Sequence, residues 1–334
     1  MLKLEKVTGG YANIPVLKDV TFEVADGELV GLIGLNGAGK STTINEIIGL
    51  LTPYGGQIAI DGLTIQQDSA SYRQKIGYIP ETPSLYEELT LREHLETVLM
   101  AYGLDVTEGM ARADKYLKLF RLDEKLDWFP TQFSKGMKQK VMIICAFIVN
   151  PSLFIVDEPF LGLDPLAISD LIELLAEEKA KGKAILMSTH VLDSAEKMCD
   201  RFVILHHGQV LAQGTIEELR QTFGDDSASL NDIYMQLTKG EAKLFKERSK
   251  RFNARCAKYS RYVFNDHFIL VLLFLLGFVL VQYSQLLRHF PKNPWAIILG
   301  LLVLCLLLPF WGNIATYLEP ADKHYLLVKE EEVL

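Results

Sequence analysis

Gly34-Leu35-Asn36-Gly37-Ala38-Gly39-Lys40-Ser41 fits the pattern G-x-x-x-x-G-K-[ST] at every fixed position. An apolar run, Leu29-Val30-Gly31-Leu32-Ile33, leads into it, and a helix-compatible stretch from Thr42 to Leu50 leads out. Strand, glycine-rich loop and helix in that order make a phosphate cradle. The glycines let backbone N–H groups turn inward, and the helix N-terminus adds partial positive charge at the same point. Gly34, Asn36, Gly37, Ala38, Gly39, Lys40, Ser41 and Thr42 are therefore the candidate nucleotide-binding residues. Lys40 is expected to reach the β- and γ-phosphates and Ser41 to hold Mg²⁺. A glycine-rich turn matching by chance would lack the flanking strand and helix.

Working outward, Leu153-Phe154-Ile155-Val156-Asp157-Glu158 reads as a buried strand ending in two carboxylates. Such an ending is common by itself. Behind a phosphate cradle it supplies Asp157 for Mg²⁺, through a water, and Glu158 to polarise an attacking water. Ala184–Thr189 is a second apolar strand, and it delivers His190 to the edge where α/β sheets bind ligands. Ser134-Lys135-Gly136-Met137-Lys138-Gln139 opens a helix, where a hydroxyl and unpaired N–H groups suit an anion. An ordinary cap would look the same.

Strand-like segments run over 2–7, 16–24, 29–33, 57–60, 75–79, 153–156, 184–188, 202–205 and 209–212. His206-His207-Gly208-Gln209 reads as a hairpin turn, and Asp61-Gly62 as another turn. Between about 82 and 150 the apolar period lengthens to three and four residues, over 91–102, 108–120 and 134–148, predicting a helical insert in an α/β core. Thr90 with Glu93 forms a capping-box pattern, and Ser134 is a candidate N-cap.

The chain nets −8, but unevenly. Nine Lys or Arg face two Glu over 239–261, a net +7, so the preceding body is acidic. An acidic body argues against nucleic acid as the main partner. The basic stretch reads as a linker or an amphipathic helix. Two nearly uncharged apolar runs then fall in 262–318, each approaching the roughly 20 residues that cross a bilayer. Tyr262, Tyr283, Trp295, Trp311 and Tyr317 sit near their ends like interfacial aromatics. This predicts a two-helix transmembrane hairpin, followed by a short acidic tail over 319–334. The basic flank places residues 1–238 on the cytoplasmic face of the cell membrane. Cys145, Cys199, Cys256 and Cys305 show no paired spacing and read as reduced thiols. Met1–Glu5 begins directly in strand-like sequence, predicting no leader peptide.

Five ordered motifs now stand together: the P-loop, Ser134–Gln139, Asp157-Glu158, Gly162-Leu163-Asp164 and His190. Residues 1–238 so arranged resemble an ABC-type ATPase, and the segment after about 243 resembles the start of the permease of the Ecs type. The resemblance implies an α/β P-loop NTPase fold with a helical insert, ATP and Mg²⁺ as ligands, and hydrolysis at a head-to-tail dimer interface coupled to a membrane permease. It further implies that Tyr11 stacks on adenine, and that Ser134 and Gly136 contact the γ-phosphate held by the opposite copy. Asp164 would bridge the copies and His190 would act as a switch beside Glu158. Two departures stand out. Lys135 and Met137 replace a glycine and a glutamine of the usual signature, and Glu81 occupies the place of a Mg²⁺-contacting glutamine. The expected role is an ATP-hydrolysing transporter subunit, of an exporter by family resemblance. The alternatives are a soluble ATPase switch, disfavoured by the hairpin, and a non-hydrolysing module, disfavoured by the retained Lys40, Asp157, Glu158 and His190.

Overall fold

The computed structural model describes residues 1–223 and 227–238. The basic stretch, the expected hairpin over 262–318, the acidic tail, Cys256 and Cys305 lie outside the described residues. Among the described residues, no helix is long and apolar enough to cross a membrane.

The first sheet is antiparallel, in the order β2-β1-β4-β5, formed by β1 (Leu2–Tyr11), β2 (Ile14–Val24), β4 (Gly55–Ile60) and β5 (Leu63–Thr64). Asp61 and Gly62, at φ 51° and 76°, turn the β4–β5 hairpin. The two-residue β5 is too short to carry a sequence period, and no strand is expected there.

The second sheet has the order β10-β9-β3-β8-β7-β6. It comprises β3 (Leu29–Ile33), β6 (Ile76–Ile79), β7 (Leu153–Asp157), β8 (Ala184–Thr189), β9 (Arg201–His206) and β10 (Gln209–Gly214). All its neighbours are parallel except the β9–β10 hairpin, whose turn uses His207 and Gly208 at φ 47° and 78°. The continuous apolar runs of β7 and β8 follow from burial on both faces. Leu153, Ile155 and Leu186 face one cluster, with both sheets and helix α1 (Lys40–Ile47). Phe154, Val156, Ile185 and Met187 face the other, against the helical insert.

That insert is α3 (Leu91–Ala101), α4 (Val106–Phe120) and α5 (Lys135–Ile148), between β6 and β7 as expected. The Thr90–Glu93 capping box forms in both directions, and Ser134 Oγ accepts from Met137 N–H at 3.3 Å. Two helix starts differ from the expected ones. Helix α1 begins at Lys40, because its first turn is the end of the phosphate loop, and α4 begins at Val106, capped by Asp105. Helices α2 (Ser69–Gln74), α6 (Pro165–Ala180), α7 (Leu192–Met198) and α8 (Ile216–Phe223) complete the body, and residues 230–238 form a further helix, α9.

Candidate ATP-hydrolysis site

Four neighbouring parallel strands end at one sheet edge, and each hands over a functional segment. Ile33 pairs with Thr189, Asp157 with Ser188, and Ile79 with Val156. Gly34, His190, Glu158 and the Pro80-Glu81 loop therefore emerge side by side. Parallel register, rather than sequence proximity, assembles the site.

The loop has the shape of a phosphate cradle. Gly37 and Gly39 sit at φ 82° and 108°, conformations that side chains rarely adopt. Open space surrounds the Cβ position of Gly37, whereas a Cβ on Gly34 would lie 2.6 Å from Leu205 O. The loop is held from outside by Gly208 N–H to Ala38 O, 2.9 Å, and by Leu35 N–H to Tyr234 Oη, 3.2 Å. Lys40 is 6 % exposed. Its Nζ donates to Gly34 O at 2.7 Å and lies 3.7 Å from Glu158 Oε1. An inward-held cation beside open glycine backbone fits a polyphosphate.

Glu158 is buried, and its backbone is left-handed, φ 45°. A non-glycine residue there is uncommon and marks stored strain at working sites. Glu158 N–H donates to Ser188 O, which pins the turn. His190 Nδ1 lies 2.8 Å from Glu158 Oε1, so with Glu158 ionised the imidazole carries its proton on Nδ1.

Asp157 accepts a short hydrogen bond from Ser188 Oγ. Burial pushes its carboxyl above the usual range, as do the charges of Glu81 and Glu158; the Ser188 bond and Lys40 oppose this. Such a carboxylate cluster favours a divalent cation. Among the described residues, no three His, Cys, Asp or Glu side chains converge closely enough to hold a metal unaided. The donors suit Mg²⁺, which commonly takes one or two carboxylates, a hydroxyl such as that of Ser41, and phosphate oxygens.

Ser134 and Gly136 join a different constellation. A Cβ on Gly136 would stand 2.5 Å from Gly162 O, and Lys140 Nζ bonds Asp164 Oδ2 at 2.8 Å. Lys140 and the backbone N–H of Ala167 hold the Asp164 carboxyl down to about 2. The start of α5 and the start of α6 are thereby tied together. Gln139, fully buried, donates from Nε2 to Pro80 O at 2.8 Å, linking α5 to the loop that carries Glu81. Tyr11 is half exposed at the end of β1, its hydroxyl 3.4 Å from Asn45 Nδ2 on α1. Sequence reasoning missed Ser188, Lys140 and Tyr234, and named Gln139 only as the end of its motif. A serine within the apolar run of β8 is the one local signal among them.

Residues 17–161 match the family model of the ABC transporter, and residues 242–333 match that of the bacterial ABC transporter protein EcsB. The ABC-type transporter ATP-binding protein EcsA of Bacillus subtilis is 56 % identical over 242 residues, covering 72 % of this chain and 98 % of that protein. Nod factor export ATP-binding protein I of Rhizobium meliloti is 37 % identical over 64 % of each. Among solved structures, an ATP-binding subunit of an ABC transporter is 56 % identical with a TM-score of 0.70, covering 71 % of this chain and 99 % of its own. The dimeric ATP-binding cassette MJ0796 in a post-hydrolysis state, bound to ADP and phosphate, is 29 % identical with a TM-score of 0.58, covering 65 % and 99 %. The sheet-edge geometry and these likenesses agree: the chain belongs to the ATP-binding subunits of ABC transporters, of the Ecs type, continued by an EcsB-like part.

Proposed function

We propose that this ATPase subunit drives an exporter, with Glu158 as the base that activates water and His190 as the residue that orients it. The carrying observation is the Lys40–Glu158–His190 chain at one strand edge. Glu158 Oε1 sits between a buried cation and an imidazole, an arrangement that fixes where the carboxylate points. Lys40, the loop amides of Gly34, Asn36, Gly37, Ala38 and Gly39, and the side chains of Ser41 and Thr42 hold the phosphates in line for attack. Ser41, Asp157 and Glu81 would hold Mg²⁺, which would neutralise phosphate charge there. Asp157, kept in place by Ser188, orients that site.

Tyr11, exposed beside α1, is the platform for adenine. Ser134 and Gly136 contact the γ-phosphate of a second copy, and Asp164 bridges the two copies. Their ties to Gly162 and Lys140, rather than to the P-loop, support a role across an interface. The partner is then a second copy plus an integral membrane permease. Residues 1–238 form the ATPase domain and 239–261 a basic linker; 262–318 would insert as a hairpin, with the ATPase on the cytoplasmic face. Export direction draws on the Nod factor export relative. The acidic body argues against nucleic acid as the main partner.

The deciding experiment is Glu158→Gln in the full chain. ATP binding should persist while steady-state hydrolysis falls at least 100-fold. Turnover within a few-fold of the parent would sink the assignment of Glu158 as base. Lys40→Ala should weaken ATP binding itself. Transport into inside-out vesicles, with cargo candidates supplied outside, tests direction: ATP-dependent accumulation supports export.

A further inference from the structure

The phosphate loop has one fastening that its local motif does not predict. Leu35 N–H donates to Tyr234 Oη at 3.2 Å, across 199 positions of sequence. Tyr234 is 2 % exposed and lies on helix α9. Its ring packs in a cluster with Ile33, Phe202, Ile204, Leu230 and Ile233. Ile33 is the last residue of β3, immediately before the loop. The ring thus braces the strand that launches the loop, while the hydroxyl accepts from the loop's second residue.

Helix α9 is itself firmly seated. Ser229 and Asp232 cap its start reciprocally, with Ser229 Oγ to Asp232 Oδ2 at 2.6 Å and Asp232 N–H to Ser229 Oγ at 3.2 Å. Glu196 on α7 accepts from both Leu230 N–H and Arg220, each at 2.9 Å. The helix therefore holds Tyr234 as a fixed post. Along the chain, α9 is also the last described element before residue 242, where the EcsB match begins.

We propose that Tyr234 is a positioning residue for ATP, setting the first turn of the phosphate loop from α9. Leu35 N–H is engaged by Tyr234, which leaves the other loop amides to the phosphates. Without the hydroxyl, the first turn loses its outer anchor, and the cradle samples geometries less suited to phosphate. The coupling is reciprocal: what steadies the loop steadies α9, and what disturbs α9 loosens the loop. The chain segment that leads to the EcsB-like part thereby gains a direct hold on nucleotide affinity.

The test is Tyr234→Phe in the full chain, which keeps the ring and removes only the hydroxyl. Equilibrium binding of a fluorescent ATP analogue and steady-state ATPase kinetics should show Kd and KM raised about three- to tenfold, the worth of one hydrogen bond. kcat at saturating ATP should stay within twofold. Ile233→Val trims the packing of the same cluster and serves as the structural control; its melting temperature falls while its ATP affinity holds. Hydrogen exchange in the parent chain should show ATP slowing the amides of 230–238, and Tyr234→Phe should lose that protection. An ATP affinity unchanged in Tyr234→Phe, an equal loss in Ile233→Val, or exchange at 230–238 indifferent to ATP would each overturn the proposal. Lys40→Ala distinguishes this failure from a failure of ATP binding at the loop, since that variant acts whether or not Tyr234 matters.

Discussion

At the scale of single residues, the site depends on pairings between strands. Lys40, Ser41, Asp157, Glu158 and His190 are legible because each belongs to a short run whose flanking pattern gives its place. Ser188 is not, since its role exists only when β8 lies beside β7 in the observed register. Its bond to Asp157 opposes the burial that raises that carboxyl. Ser188→Ala should push Asp157 further up. In its proposed role at Mg²⁺ Asp157 works ionised, so activity is expected to be lost as pH falls through its pKa. The acid limb of the pH–rate profile should accordingly move to higher pH, with more Mg²⁺ needed for half-maximal turnover. An acid limb unmoved by the change would remove Asp157 ionisation from the control of rate.

At the scale of elements, the long periodic helices of the insert were readable, down to the Thr90–Glu93 box. Their ends were less so, because caps and turns decide them. The two-residue β5 and the one- or two-turn helices α2 and α7 carry too little period to register. The signature segment illustrates the limit. Ser134 looked like a cap and is one, its hydroxyl turned to Met137 N–H. What the sequence did not reveal is that Gly136 lies against Gly162, so that α5 and α6 start as one block. Gly136→Ala would bring a Cβ to 2.5 Å from backbone, and something must shift. We expect kcat to fall about tenfold or more while nucleotide binding to the isolated subunit persists, as for a contact that works across an interface. Parallel losses of binding and turnover would place the damage within the subunit.

At the scale of the whole molecule, one buried group works against the fold. Glu46, on the inner face of α1 beside Gly9, is 3 % exposed, and among the described residues neither carboxyl oxygen has a hydrogen-bond partner. Burial lifts its pKa from 4.5 to about 7. Below pH 4.5 the group is protonated whether the chain is folded or not. Between about 4.5 and 7 the native state keeps a proton that the unfolded state releases, so stability declines as pH rises. Above about 7 the loss levels off, at up to about 3 kcal/mol. Glu46→Met should therefore raise the unfolding midpoint at pH 8 and flatten the dependence between pH 5 and 7. Equal stability of both proteins at pH 8, in urea titrations, would contradict the burial argument. Nothing in the pattern of α1 betrays this cost, because a glutamate suits a helix surface and only the sandwich of two sheets makes it internal.

The phosphate loop also has a history in time. Its strand and glycine-rich turn are synthesised by residue 41, but its outer fastenings come from Gly208 and Tyr234. A ribosome adding about 5 to 20 residues per second reaches Tyr234 some 10 to 40 seconds later. Through that interval the nascent chain has the motif without the braced cradle. ATP, however abundant in the cell, cannot lend its full binding energy to early folding. Burial and hydrogen bonds carry the early folding, and nucleotide reaches its full stabilising effect only once Tyr234 is in place, shortly before the EcsB-like part is made.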